Sequence, residues 1–259
     1  MEYALLKNGI QIPRLGLGTW QITDKAAILQ LLKAAWETGY TLIDTAAAYS
    51  NEMAIGKALQ ELGIERSRLF LSDKVWNTSR GYEQVQEACK RSLKKLKTDY
   101  LDLYLIHWPA SPKLYENWKD LNAETWRGME ALLQAGLVRS IGVCNFKVHH
   151  LEELKKTASI FPMLNQFEFH PGMKQEELYD YCKKQEIAVQ ASSPLGNGHI
   201  LENAVLQQLA QAKHISVAQL CLRYALQKGF IVIPKTNKKE RLQENAAVFD
   251  LFGPDKHLV

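Results

Sequence analysis

The stretch LIDTAAAYSNE, residues 42–52, ends a short apolar run in Asp44 and places Tyr49 five residues later. Taken alone, the acid reads as a cap and the tyrosine as a packing residue. Two other apolar runs change that reading, because RLFLSDKVW carries Lys74 and YLDLYLIHW carries His107. A free tyrosine has a pKa near ~10, too high for an effective general acid at neutral pH. A lysine ammonium nearby favours phenolate and lowers that value. A carboxylate, in turn, keeps the lysine charged in a dry site. Asp44 can supply the carboxylate, Lys74 the ammonium and Tyr49 the proton, while His107 can orient or polarise a substrate oxygen. Such a set protonates an oxygen that becomes an alkoxide, as carbonyl reduction by hydride requires.

Four side chains so far apart in sequence need a frame that gathers them. In YALLKNGIQI, Asn8-Gly9 between two apolar runs signals a hairpin over residues 1–13. Strands and amphipathic helices then alternate. The first helix, DKAAILQLLKAAWETG, has apolar residues at 27, 28, 31, 32, 35 and 36, the stripe of a 3.6-residue period. Short strands are expected at 14–19, 40–44, 68–76, 100–108, 137–145, 163–170, 187–193 and 230–235, each followed by helix. Parallel strands need such crossovers, and eight repeats fit a (β/α)8 TIM barrel with the N-terminal hairpin closing its bottom. An open doubly wound sheet is the alternative. Its glycine-rich phosphate turn is missing, because LGLGTW lacks the third glycine and does not enter a helix. No linker splits the chain, so residues 1–259 read as one barrel domain.

A barrel collects its chemistry at the carboxyl ends of its strands. Those positions hold Thr19 and Trp20, Asp44, Lys74, His107, Cys144 and Asn145, Gln166 and Glu168, Ser192 and Ser193, and Lys235 and Thr236. Buried charge there is tolerated only when paired. Asp44, Lys74 and His107 are therefore expected to face one another across the barrel mouth. Trp20, Trp76 and Trp108 follow three strand ends and are expected to line an aromatic substrate pocket.

Bulk properties narrow the field. A balance of 32 Lys+Arg against 28 Asp+Glu leaves +4, too slight to imply nucleic acid or a membrane surface. The N-terminus has no apolar signal core, and no 18-residue apolar run occurs. Cys89, Cys144, Cys182 and Cys221 lie far apart without a CxxC, which suits reduced thiols in a cytoplasmic protein. The expected assembly is a monomer or weak dimer.

The segments LGLGTW, LIDTAAAYSNE, SDKVWN, DYLDLYLIHWP, IGVCNF, NQFEFHP and IPKTNKKERLQEN, in this order and spacing, resemble the aldo-keto reductase superfamily over essentially the whole chain. The likeness is strongest to small bacterial reductases of keto sugars, α-dicarbonyls and aldehydes. It implies Asp44, Tyr49, Lys74 and His107 as catalytic tetrad, a small-molecule carbonyl substrate, and NADPH held in extended form. It also implies that Asn145 and Gln166 hold the nicotinamide carboxamide. Lys235, Thr236 and Arg241 would then meet the 2′-phosphate, and Glu244 and Asn245 the adenine side. Thr19, Trp20, Cys144, Ser192, Ser193 and Leu195 complete the implied cofactor contacts. Two cations and a hydroxyl at a helix start make physical sense as a phosphate site. The family pattern carries Ser where this chain has Cys144, and a stacking Tyr or Trp where it has Ser192. It also continues beyond DLFGPDKHLV, so a shortened last helix and C-terminal loop are expected.

Two other classes compete. Asp44, His107, Glu168 and His170 would suit a metal-dependent barrel hydrolase, although Lys74 beside them would repel a cation. A reductase-like nucleotide-binding sensor or structural protein with little turnover is the non-enzymatic alternative.

Overall fold

The computed structural model describes residues 2–250. The chain enters as an antiparallel hairpin, β1 (Tyr3–Leu5) with β2 (Gln11–Pro13). Then β3 (Gly16–Gly18) leads to α1 (Lys25–Glu37), β4 (Leu42–Asp44) to α2 (Glu52–Glu61), and β5 (Phe70–Val75) to α3 (Tyr82–Leu96). Next, β6 (Leu103–Ile106) leads to α4 (Trp118–Gln134), β7 (Ile141–Cys144) to α5 (Val148–Lys155), and β8 (Leu164–Glu168) to α6 (Glu176–Lys184). Finally, β9 (Ala188–Ser192) precedes α7 (Ala204–Ala212) and α8 (Val217–Gln227), and β10 (Ile231–Val232) precedes α9 (Lys239–Ala246). Among the described residues, no helix is long and apolar enough to cross a membrane.

Strands β3 to β10 form one eight-stranded sheet in sequence order, parallel throughout. The sheet curls until its two edges meet. Leu15 bridges to Val232 and Gly18 to Lys235, both parallel. Across that seam Val232 N donates to Arg14 O at 2.9 Å, and Gly18 N to Pro234 O at 3.1 Å. Gly18 permits the approach, since a Cβ there would lie 2.8 Å from the Ile233 carbonyl oxygen. The fold is the (β/α)8 barrel expected from the alternation, and the closed seam rules out the open sheet.

Alternation along each strand sorts side chains between the barrel interior and the helix layer. In β5, Phe70 joins the inner cluster, and Leu71 and Val75 pack outward with the helices. Leu42, Leu103, Leu164 and Ile231 share the inner cluster with Phe70, and Leu6 and Ile12 of the hairpin insert among them. The hairpin thus plugs the amino-terminal end of the barrel, as expected.

The strands are shorter than their expected spans, and four further differences from the sequence reading stand out. Helix α4 begins at Trp118, not near Glu124. Its first turns carry Asn122, buried because its amide exchanges hydrogen bonds with the Ala110 backbone at 2.7 and 3.0 Å. Strand β10 spans two residues, because Pro234 has no N–H to extend the ladder. The small-residue segment after β4 forms a 3₁₀ turn, Ala47–Tyr49, and 3₁₀ turns kinked at Asn197 and Gly198 occupy Gly196–Glu202 ahead of α7. The expectation of a shortened C-terminal helix and loop concerns residues 251–259, which lie outside the described residues.

Candidate active site

Inward parity delivers three of the four tetrad residues. Asp44 sits two positions after Leu42, Lys74 four after Phe70, and His107 two after Leu105, so all three project into the upper barrel. Tyr49 arrives from above on the 3₁₀ turn, with its N–H bonded to Ala46 O at 2.9 Å. Asn51 braces this loop from inside. Its amide donates to Thr19 O at 2.9 Å and Ile22 O at 3.0 Å, and accepts from Thr45 Oγ1 at 2.7 Å.

The centre is a buried ion pair with its partners in place. Lys74 Nζ lies 2.5 Å from Asp44 Oδ2 and donates to Thr45 O at 2.9 Å. Asp44 Oδ1 accepts from Ser72 Oγ at 3.2 Å and Gln166 Nε2 at 3.1 Å. Gln166 Nε2 also reaches Gln190 Oε1 at 2.6 Å. Burial alone would lower the Lys74 pKa. The Asp44 carboxylate, with Tyr49 and Cys144, outweighs it and holds the ammonium above its ordinary value.

Lys74 Nζ lies 5.1 Å from the centre of the Tyr49 ring, and the His107 ring stands edge-on to Tyr49 at 5.7 Å. Burial raises the Tyr49 pKa, Lys74 opposes the shift, and Asp44 and Cys144 add to it. The net rise corrects the expectation of a lowered value: burial outweighs the ammonium, and Asp44 and Cys144 add to the rise. Tyr49 is therefore held as a neutral phenol. His107 is pushed down to about 3, by burial first and Lys74 second, so its imidazole is uncharged at neutral pH. Its Nδ1 is buried with no protein partner.

Cys144 is pushed up to about 12, chiefly by burial, and so stays a thiol. Its Sγ lies 3.6 Å from Gln166 Oε1 and accepts from Asn145 Nδ2 at 3.2 Å. Asn145 adopts a left-handed backbone, φ 63°, and its amide also donates to His107 O at 3.0 Å. Thr19 Oγ1 donates to Asp44 O at 2.9 Å.

Two lobes of one cleft meet at Tyr49. The first, about 550 Å³, is lined by Thr19, Trp20, Gln166, Ser192, Ser193, Leu195, Lys235 and Arg241. The N-terminus of α9, two residues before Arg241, has no side-chain cap. The second lobe, about 700 Å³, is walled by Trp20, Trp76, Trp108, His107, Cys144, Asn145 and Glu168. Trp76 stands edge-on to His107 at 5.1 Å. The three tryptophans are partly exposed, as pocket walls are, and not core fillers.

Five expected cofactor contacts do not line the first lobe: Cys144 and Asn145 line the second, and Thr236, Glu244 and Asn245 line neither. Thr236 is buried and its Oγ1 accepts from Lys238 N at 3.1 Å, which starts the turn into α9. Asn245 is buried on α9, and the Glu244 carbonyl accepts from Gln219 Nε2 at 3.0 Å. Ser72, Gln190 and Asn51 belong to the site and were not singled out by the sequence. The first two are polar residues at inward parity inside apolar strands, a signal that was available. The hydrolase alternative loses its first ligand, because Asp44 is engaged by Lys74, Ser72 and Gln166. Among the described residues no group of three or more His, Cys, Asp and Glu is placed to hold a metal.

Residues 14–256 match the sequence model of the aldo/keto reductase family. The chain is 49% identical to a glyoxal reductase of Bacillus subtilis (strain 168) over 245 residues, 95% of this chain and 86% of that one. It is 41% identical to the methylglyoxal reductase DkgA of Escherichia coli (strain K12) over 253 residues, 97% and 88% of the two chains. The crystal structure of an aldo/keto reductase from Brucella melitensis superposes with a TM-score of 0.89 at 44% identity, covering 96% of this chain and 93% of that one. A Bombyx mori aldo-keto reductase in complex with NADP superposes with a TM-score of 0.87 at 36% identity, covering 96% and 88%.

Proposed function

Because this chain belongs to the aldo/keto reductase family, and is thereby an oxidoreductase, we propose that it reduces small aldehydes, ketones and α-dicarbonyls to alcohols with NADPH, Tyr49 giving the proton. The observation that carries this reading is the neutral Tyr49 phenol at the junction of the two lobes, beside Lys74 and His107. A carbonyl seated against Tyr49 and His107 receives the phenol proton as its oxygen gains charge, and Lys74 stabilises the phenolate that forms. Asp44 keeps Lys74 charged and fixed. The neutral His107 imidazole orients the carbonyl oxygen. The relatives named for glyoxal and methylglyoxal support dicarbonyls as a substrate class.

The first lobe fits the cofactor. Lys235 and Arg241 with the uncapped start of α9 suit a 2′-phosphate. The Gln166 and Asn145 amides lie at the Tyr49 end, suited to a carboxamide, with Thr19, Trp20, Ser192, Ser193 and Leu195 as walls. When bound there, NADPH supplies the hydride. The four free, buried thiols suit a reducing cytoplasm.

The test pairs turnover with binding. Wild-type protein should consume NADPH with methylglyoxal and phenylglyoxal without added metal. Tyr49→Phe should lose about 10²–10⁴-fold in kcat while still binding NADPH by fluorescence titration. NADPH binding without turnover in the wild type would leave a nucleotide sensor, and a variant keeping a third of the activity would remove Tyr49 from its role.

A further inference from the structure

A polar layer crosses the barrel beneath the cleft. Asp44 sits opposite Ser72 in the register of β4 with β5, and Gln166 opposite Gln190 in that of β8 with β9. Gln166 lines both lobes, whereas Gln190 is fully buried and lines neither. Asp44 is ionised against Lys74 and can only accept, so the Gln166 group 3.1 Å from its Oδ1 must be the NH2. The second hydrogen of that NH2 goes to Gln190 Oε1 at 2.6 Å. Gln190 thus turns its carbonyl to Gln166 and its own NH2 away, where Nε2 is buried with no protein partner. An unpaired buried NH2 is costly, so the acceptor that Gln190 presents to Gln166, and not packing, accounts for a glutamine here. With both hydrogens committed inside the barrel, Gln166 has only Oε1 to offer a ligand. That oxygen lies 3.6 Å from the thiol of Cys144, which lines the second lobe. The thiol is a weak donor and occupies one of its two lone pairs.

Resting on the NADPH reading of the first lobe, we infer that Gln190 is a positioning residue for the cofactor: it holds the Gln166 amide with its carbonyl turned to the cleft, where Oε1 accepts from the carboxamide NH2 of the nicotinamide. Without Gln190 the Gln166 amide keeps only its longer bond to Asp44, and its last torsion is a soft one. A neutral hydrogen bond of this kind is worth about three- to tenfold in affinity.

The 3-acetylpyridine analogue of NADP+ tests this, because a methyl group replaces the NH2 of the carboxamide. Fluorescence titration of the full chain should show NADP+ bound about three- to tenfold more tightly than the analogue. In Gln190→Met, of nearly the same length, the preference should fall below about twofold. Binding of 2′-phospho-ADP-ribose, which has no nicotinamide, should stay as in the wild type. Gln190→Glu keeps an acceptor for Gln166 Nε2 and should keep the preference. A preference that persists in Gln190→Met overturns the inference, including the case in which all three ligands weaken equally, which leaves a structural role. Loss of the preference in Gln190→Glu overturns it too, even if the methionine variant does not fold, and so does its absence in the wild type. Turnover is read separately. If NADP+ binds with this preference but no carbonyl compound is reduced, the reductase reading falls and Gln190 keeps its role. If NADP+ does not bind, the cofactor reading falls and the inference with it.

Discussion

At the residue scale, pairing decides what each ionisable group can do. The Asp44 carboxylate is shared among Lys74, Ser72 and Gln166, so Lys74 stays charged despite complete burial. Burial first, and that charge second, keep His107 neutral. Asp44, Lys74 and His107 were legible in the sequence because each breaks an apolar run near a strand end, whereas Tyr49 stands on the 3₁₀ turn beyond β4 and drew notice only beside them. The sign of the Tyr49 shift was not legible, because it depends on burial and on Asp44 as well as on Lys74. Similar reasoning applies at Arg241. It lines the first lobe of the cleft, as does Lys235. A charge-assisted contact to phosphate is worth roughly 1.5–3 kcal/mol, about tenfold or more in affinity. Arg241→Ala is therefore expected to weaken NADPH by at least that factor and NADH far less, measured by fluorescence titration. Equal losses for the two cofactors would show that Arg241 does not meet the extra phosphate.

At the element scale, strand β5 faces two environments. Its inward residues Ser72 and Lys74 serve the site, while Asp73 points into the layer between β5 and its helices. There Asp73 is fully buried, neither carboxyl oxygen has a hydrogen-bond partner, and the unpartnered Glu52 Oε1 and Tyr104 hydroxyl are buried as well. Burial first, and the Glu52 carboxylate second, push Asp73 up to about 7. The unfolded chain titrates Asp near ~3.9. An acid whose folded pKa is raised stabilises the fold fully below the unfolded value and loses that contribution as pH rises through the folded one. The melting temperature should thus decline between about pH 4 and 8 through this group. Asp73→Asn should flatten the decline and melt several degrees above wild type at pH 8, with little difference at about pH 4 and below, at about 2–4 °C per kcal/mol. Parallel curves for the two proteins would contradict a buried charge at this position. The apolar-polar rhythm of RLFLSDKVW announced a strand with Lys74 on one face. It gave no hint that Asp73 would be buried on the other, since burial there is set by how α2 and α3 pack. Helix α4 teaches the same lesson, because its early turns bury Asn122, a polar residue that no apolar stripe reveals.

At the scale of the whole molecule, the barrel separates what holds it together from what it does. Order and type of the elements were readable from periodicity, because eight strand–helix repeats leave few other ways to bury their apolar faces. Barrel closure was not encoded in any single segment. It depends on Gly18 meeting the Ile233 carbonyl across the seam, a contact between the first and last parallel strands. Inside, the interior is layered. Leu6 and Ile12 from the hairpin meet Leu42, Phe70, Leu103 and Leu164 at one end, and Asp44, Lys74 and His107 occupy the same strands two or more residues further on. A defect in the lower layer should therefore reach stability before chemistry. Leu6 is almost completely buried, and Leu6→Ala removes most of its side chain from a site formed by rigid strands. Such truncations cost about 2–5 kcal/mol, depending on how far the cavity collapses. The expected outcome is a urea midpoint that falls accordingly, with kcat on methylglyoxal within about twofold of wild type under native conditions. A variant whose kcat falls tenfold while it remains folded would show that the hairpin plug also sets the geometry of the tetrad, and that the two ends of the barrel are not independent.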